Sequence, residues 1–594
     1  MKQKTKKLLQ LSFSLGFLTT TALVATSCKQ PMTVVPKPTD PSKPTDPKNP
    51  STGNPDEPST PTEPVKPIEP AKSVDTTEAK NKLKEVISKK DEKLAMYADY
   101  SAIKEELEKA YSAAELVSKK DNATQEELTD AKNKLDTAIK TAETSKTDFN
   151  SQHQSLVEAY NSLKNILNNK DAIISQFSDP KYFGTKEYLI GLHNSAESII
   201  ENTLQPVTGL NETEINRINQ SITDVSSTEK IETIKQNVDG YVDGKLFEIS
   251  SDRFIGDFAK SEVPTGKSDS TNYIIGYSAG ISANWRYAKR KVKDNSSNSN
   301  ITNVAWIYNL APQSSDKTSS YDLTFDYYGG KQAILYFPYK IYTPSQNSSN
   351  IALQYKLNEG EFADITQISD ANIDEIKIAE IQLSGLKFGT NKISFSVPNG
   401  KQNPIIGNMY IATFNSETAK SKIYDSIFGI EHDTSNPNSI TVNIVKGYGL
   451  ANYATTNIKK IRGKLNNEGT EQDYYVLNTL GNRINGKERY YSFYVNILTA
   501  GNYEVSALYN STNNRNITFW QGTNTSNNSN KVTISNIQAS GANIIKIFNS
   551  SNNDSSGSST LSLTQGLNKI IVSGKTATTD APDLGNVTFT LKNS

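Results

Sequence analysis

Gly389-Thr390-Asn391-Lys392-Ile393 and Gly566-Leu567-Asn568-Lys569-Ile570 are one motif written twice, and each is followed by a Pro-x-x-Gly-Asn. The followers are Pro404-Ile405-Ile406-Gly407-Asn408 and Pro582-Asp583-Leu584-Gly585-Asn586, the second glycine standing 18 positions after the first in one copy and 19 in the other. Upstream, residues 341–357 align loosely with 497–519, and 277–292 with 448–461. Self-similarity of this extent marks one folding unit present twice, so residues 250–416 and 430–594 are expected to be two copies of one domain. Within them Tyr491-Ser-Phe-Tyr-Val-Asn-Ile-Leu498, Tyr503-Glu-Val-Ser-Ala-Leu-Tyr509 and Lys569-Ile-Ile-Val-Ser573 are short β-branched and aromatic runs bounded by turn-forming clusters. Such runs read as strands, and their number and spacing as β-sandwiches. No long helical pattern is expected to interrupt residues 245–594.

Upstream of the β region the period changes. Ala79, Leu83, Val86 and Ile87 form one helical stripe; Ile103, Leu107, Ala110, Tyr111, Ala114 and Val117 a second; Leu128, Ala131, Leu135, Ala138, Ile139 and Ala142 a third. Thr124 with Glu127, and Asp75 with Glu78, have capping-box spacing. Residues 75–148 are thus expected to be an antiparallel three-helix bundle, and 149–244, with stripes at Leu156, Tyr160, Leu163, Ile166 and Leu167 and at Leu189, Leu192, Ile199 and Ile200, a second one.

The first 74 residues carry address and reach. Lys2, Lys4, Lys6 and Lys7 precede an apolar stretch from Leu8 to Val24 and the small residues Ala25-Thr26-Ser27, which reads as an export signal over 1–27. Cys28, the only cysteine among 594 residues, follows it and reads as a lipid attachment site. From Pro38 to Pro70 prolines recur almost every third residue, the period of polyproline II; segment 28–74 is expected to be a disordered stalk, and at about 3.1 Å per residue its Pro31–Pro70 part reaches roughly 120 Å.

Composition excludes several classes. With 64 basic and 64 acidic residues the chain is neutral, so charge gives no reason to expect a nucleic-acid partner. Apart from Cys28 there is no thiol, hence no disulfide framework and no zinc ribbon. His153, His193 and His432 lie far apart, and Glu431-His432-Asp433 reads as a polar turn. No phosphate-binding glycine loop precedes a helix. No cofactor, no metal and no catalytic residue are expected.

The residues that suit glycan recognition lie in the β region. All three tryptophans, Trp285, Trp306 and Trp520, are there, as are seven of the eight arginines. Aromatic faces stack on sugar rings, and an arginine fork receives a carboxylate in bidentate fashion. Two candidate sites follow: Trp520, Arg515, Gln521 and Asp583 in the second copy, and Trp285, Arg286 and Arg290 in the first.

Three resemblances bear on these expectations. The Ala131, Leu135, Ala138, Ile139 spacing is similar to the FIVAR module of bacterial surface proteins, a spacer that sometimes binds host protein. The second β copy, through Ala500-Gly501-Asn502-Tyr503, Leu563-Thr-Gln-Gly-Leu-Asn568 and Ala581-Pro582-Asp583-Leu584, resembles carbohydrate-binding modules of the galactose-binding-like jelly-roll type. There a polar residue matching Asp583 often touches sugar; Ile405 stands at that position in the first copy. As a whole, the chain resembles the phase-variable lipoprotein haemagglutinins of avian mycoplasmas, through Ala25-Thr-Ser-Cys28, the stalk, the FIVAR-like helices, Asn284-Trp285-Arg286-Tyr287 and Gly447-Tyr448-Gly449-Leu450-Ala451-Asn452-Tyr453. The resemblance implies a non-enzymatic, lipid-anchored surface antigen on the outer face of the cell membrane that binds host glycoproteins, sialylated ones in particular. The organisation expected is signal 1–27, stalk 28–74, helical bundles 75–148 and 149–244, and β-sandwiches 245–429 and 430–594. The alternative reading is a surface antigen that grips a host protein without glycan recognition.

Overall fold

The structure is a computed structural model; it describes residues 75–205, 210–260, 286–290, 302–343, 346, 349–370, 372–414, 416–452, 456–484, 486–526, 528–552, 558–575 and 579–592. The signal, Cys28, the stalk and Trp285 lie outside the described residues.

Two helical modules of like design follow one another. In the first, helices Thr77–Ile87, Ser101–Lys119 and Gln125–Gln152 pack pairwise, with a short helix Lys90–Ala95 after the first. In the second, Gln154–Leu167, Phe183–Glu201 and Glu212–Ser226 do the same, with Lys170–Ser175 in the corresponding place. One ion pair repeats: Lys90 Nζ lies 2.9 Å from Glu115 and Lys170 Nζ 2.7 Å from Glu197. Leu83, Leu107, Tyr111, Leu128 and Leu135 of the first module and Tyr160, Leu163 and Ala196 of the second share one apolar core. Thr124 and Glu127 form the reciprocal capping box, worth about 1 kcal/mol. Asp75 does not; its carboxylate accepts from the Thr77 amide, and Thr76 is the N-cap.

The two β copies have the same strand order. The five-stranded sheet of the first runs Phe254–Gly256, Ser319–Tyr327, Gly389–Ser396, Gln354–Leu357, Ala363–Asp364. That of the second runs Leu450–Ala451, Tyr491–Ile497, Gly566–Ser573, Arg515–Gln521, Lys531–Ile537. The facing sheets also correspond: Gln332–Lys340 lies between Met409–Thr413 and Lys377–Ser384 as Gly501–Asn510 lies between Asp583–Leu591 and Ile544–Asn549.

The repeated motifs have two distinct jobs. Asn391, buried at the start of its strand, accepts from the Lys387 amide and donates to the Lys387 and Gly389 carbonyls. Asn568 makes the same clasp with Thr564 and Gly566. Gly389 and Gly566 have φ of 119° and 91°, a region open to glycine at little cost. The Gly-Asn of each Pro-x-x-Gly-Asn is a β-bulge. Pairing runs Ile405 with Lys340 and Ile406 with Tyr339, then resumes one residue out of step at Tyr410 with Tyr336. In the second copy it runs Asp583 with Asn510 and Leu584 with Tyr509, then Val587 with Ala507. A Cβ on Gly407 would come within 2.5 Å of Pro338, and one on Gly585 within 2.8 Å of Leu508, so only glycine fits the bulge.

One expectation fails. A helix, Glu417–Phe428, interrupts the β region between the copies, with Ser416 capping its start and Gly429 left-handed at its end. Its Ile423 and Ile427 pack with Trp306, Tyr336 and Tyr410 of the first sandwich and with the core of the second. That apolar joint is secured by polar contacts. Arg290, 4 % exposed, donates to the carbonyls of Ile444, Val445 and Gly447 and to Tyr491 Oη. Tyr448 reaches back to Ala305 and Asn408. Lys569 and Tyr490 both bind the Asp374 carboxylate, at 2.9 and 3.0 Å. Tyr494 Oη accepts from the Ile376 amide.

The second helical module is joined to the first sandwich in a similar way. Thr185 Oγ1 donates to the Tyr328 carbonyl, Tyr188 stacks on Phe388 at 3.9 Å, and the Gly184 Cα side meets the Gly329 backbone too closely for any Cβ.

Candidate functional site

Strand register brings different residue types to the same end of each sandwich. Ile405, paired with Lys340, occupies in the first copy the place of Asp583, paired with Asn510, in the second. In the first copy this region is closed: Ile405 is 1 % and Lys340 2 % exposed, Lys340 Nζ lies over the Trp306 ring, and the neighbouring Asp374 and Ile376 are held by the second sandwich. In the second copy the corresponding loops end in solvent, with Thr512, Asn513, Asn514, Gln538, Ala542 and Asn543 exposed.

At this open end two guanidiniums share one carboxylate. Arg515 Nη1 lies 2.7 Å and Arg489 Nη2 2.9 Å from the two oxygens of Asp580. Arg489 is fixed further by donating from Nε to the Gly481 carbonyl. Asp583 accepts from Asn478 Nδ2 at 3.0 Å; burial pushes its carboxyl above the usual range, partly offset by that hydrogen bond and by the charges of Lys459 and Arg515. The side chains of Arg515 and Asp580 remain 25 % and 38 % exposed, so a ligand anion can reach the Arg515 fork in exchange for Asp580.

Of the four residues grouped from sequence, Arg515 and Asp583 lie at this end and Trp520 and Gln521 do not. Trp520 is five residues further along the strand Arg515–Gln521, about 16 Å at some 3.3 Å per residue. It is 5 % exposed and paired with Ile571 and Lys531. Gln521 bonds with Asn528 and Asn530 at the opposite end of the sandwich. The grouping of Trp520 and Gln521 with Arg515 and Asp583 in one site is therefore corrected: alternation along the strand puts Ile517 and Phe519 in the core and turns Trp520 to the sheet's other, covered face.

The first-copy group also dissolves. Arg290 is buried in the joint, Arg286 stacks over Phe254 and Phe258 at 5.3 and 4.6 Å, and Trp285 is outside the described residues. The members not singled out from sequence are Arg489, Asp580 and Asn478. Asp580 stands three residues before Asp583 in the same loop, which is the one local signal that could have named it.

The match to known families decides what carries this geometry. A family model described as Mycoplasma haemagglutinin matches residues 256–372 and 363–592, more than half of the chain. The chain belongs to the Mycoplasma haemagglutinin family. The FIVAR domain model matches twice, at 79–143 and 159–233, so the second helical bundle is a second FIVAR module. Neither family is catalytic. No curated protein matches the chain significantly.

Among solved structures, the chain is similar to an Arthrobacter globiformis T6 isomalto-dextranase complexed with panose (10 % identity, 48 % of this chain and 34 % of that one, TM-score 0.20). It is similar also to a CBM22 tandem of Paenibacillus barcinonensis Xyn10C (10 %, 49 % and 87 %, 0.15) and to the ANXUR1 extracellular domain of Arabidopsis thaliana (11 %, 57 % and 97 %, 0.14). Among the described residues of this chain no helix is long and apolar enough to cross a membrane, and no group of three or more His, Cys, Asp or Glu is placed to hold a metal.

Proposed function

We propose that this haemagglutinin is a lipid-anchored surface adhesin and antigen that holds host glycoconjugates, sialylated ones in particular, through the open end of its second sandwich. The observation that carries the reading is the contrast between equivalent ends: one is covered by the rest of the chain, and the other is open and built around Arg515, Arg489, Asp580 and Asp583. A sialic acid carboxylate is the ligand group that a partly exposed arginine fork suits. In this reading Asp583 and Asn478, which bond each other, exchange that contact for its hydroxyls.

Cys28 as the acylated residue and the stalk as a spacer account for reach. Each buried methylene contributes about 0.8 kcal/mol to anchoring, and two acyl chains hold far more durably than one. Weak sites in many copies on one cell then add through effective concentration.

The test uses the full chain clustered on beads and erythrocytes before and after sialidase. Adhesion is expected to fall after sialidase and to fall equally with Arg515→Ala. Adhesion indifferent to both favours the alternative, a surface antigen that grips a host protein.

A further inference from the structure

Asn586 closes the second Pro-x-x-Gly-Asn and is not used by the open end. Its counterpart Asn408 is fully engaged: it is 2 % exposed, its Oδ1 accepts from the Ile249 amide at 3.0 Å, its Nδ2 donates to the Asn303 carbonyl at 2.6 Å, and its amide donates to Tyr448 Oη at 2.8 Å. The Asn586 side chain has no hydrogen bond among the described residues. It lies instead on the wall of a cavity of about 200 Å³ whose lining includes Lys446, Asp473, Tyr475 and Leu508. Bulges re-aim side chains beside functional sites.

The first copy shows what such a place accepts. There the bulge is covered by the Tyr448 ring, edge-on to Trp306 at 4.6 Å. Its hydroxyl donates to the Ala305 carbonyl at 2.8 Å and accepts from Asn408, and a Cβ on Gly407 would stand 2.9 Å from it. Register makes Ala305 the equivalent of Tyr475, because Ile406 faces Ile307 as Leu584 faces Leu477. The chain thus lays its own hydroxylated six-membered ring on one bulge and leaves the other open.

We propose that the open cavity is a pyranose subsite, taking one neutral sugar ring against Tyr475 and Leu508 with its hydroxyls on the Asn586 amide and the Asp473 carboxylate. The size agrees: 200 Å³ is below the roughly 300–1,000 Å³ of sites for drug-sized ligands. The several polar groups of the wall favour a polyhydroxylated ring over a lone phenol. Asp473 stays ionised as an acceptor, its carboxyl held below the usual range by Lys460 at 2.9 Å. The inference shares with the proposed function the premise that the ligand is a glycan, but it does not share the site.

Saturation-transfer NMR on the full chain tests it, with methyl β-galactopyranoside, methyl α-glucopyranoside and N-acetylglucosamine as neutral probes, 3′-sialyllactose as the acidic one and N-acetyltyrosinamide as the phenol. A neutral glycoside is expected to bind wild type and Arg515→Ala alike and to bind Asn586→Ala at least roughly tenfold more weakly, the size of one or two lost hydrogen bonds. Asn586→Tyr, which fills the cavity, is expected to abolish binding, and it carries the test if the alanine variant is poorly folded. Three outcomes overturn the subsite: no neutral glycoside binds wild type, binding is indifferent to both Asn586 variants, or N-acetyltyrosinamide alone binds. Failure of the proposed function reads differently, as sialyllactose binding unaffected by Arg515→Ala.

Discussion

The two sandwiches have the same strand order, the same asparagine clasp and the same bulge, and they differ in what lies against them. In the first, the face around the bulge is filled by Tyr448, Ile423 and Ile427 from the joining segment. In the second, the same positions carry polar residues and meet solvent or an open cavity. Duplication followed by stacking gives one copy the work of a foundation and frees the other to present its surface. The difference lies in a few side chains: Ile405 against Asp583, Lys340 against Asn510, Ala305 against Tyr475.

Breaking the joint should cost most. Tyr448→Ala removes the ring from the first bulge and leaves a cavity beside Trp306; about 4 kcal/mol of stability should go, measured by denaturant unfolding, with protease cleavage appearing between the sandwiches. Arg290→Ala strands the buried carbonyls of residues 444, 445 and 447 and should cost about 3 kcal/mol. Lys569→Met leaves the Asp374 carboxylate without its ammonium and should cost about 2–3 kcal/mol.

At the open end the balance reverses. Arg515→Ala should change stability by less than about 1 kcal/mol, as for other partly exposed pairs, while glycan adhesion falls. Equal loss of stability from Arg515→Ala and Lys569→Met would erase the distinction between the two ends.

The smallest effect is one of pH. Asp425, 3.0 Å from His432 Nε2, lifts the histidine above its ordinary value of 6.5, against the opposing effect of burial. A raised folded-state value means that the pair's stabilisation is fully present below about pH 6.5 and fades as pH rises through the folded value. His432→Gln should flatten that slope in unfolding curves taken from pH 5 to 8, with a difference under about 1 kcal/mol.

The β duplication was legible in the sequence because its motifs answer local geometric demands: a left-handed glycine before a strand, and a glycine where a bulge leaves no room for Cβ. The helical stripes and the Thr124 capping box were legible for the same reason. The helix Glu417–Phe428 was missed although Ser416 and Gly429 bracket it, since only Ala419, Ile423 and Ile427 give it a stripe within Asn- and Ser-rich surroundings. Trp520 was chosen as an aromatic face suited to sugar, but its burial depends on which face of the sheet is covered. The role of Arg290 lies with carbonyls more than 150 residues away, and no local pattern encodes that distance. Arg515 was legible because it follows the turn formers Asn513-Asn514 at the first residue of its strand, and Asp583, the first residue of its own strand, through the carbohydrate-binding-module resemblance.

Gly184 pressed against the backbone of Gly329, with Tyr188 flat on Phe388 nearby, has a mechanical meaning. Under the proposed function, a cell held by the second sandwich under flow would load the joints of residues 75–592 in series, and the weakest joint would yield first. A seam in which two backbones touch without intervening side chains has little slack to take up, so tension crosses it with little creep. Inserting a methyl group there should leave binding at rest unchanged and shorten the lifetime of tethers under shear.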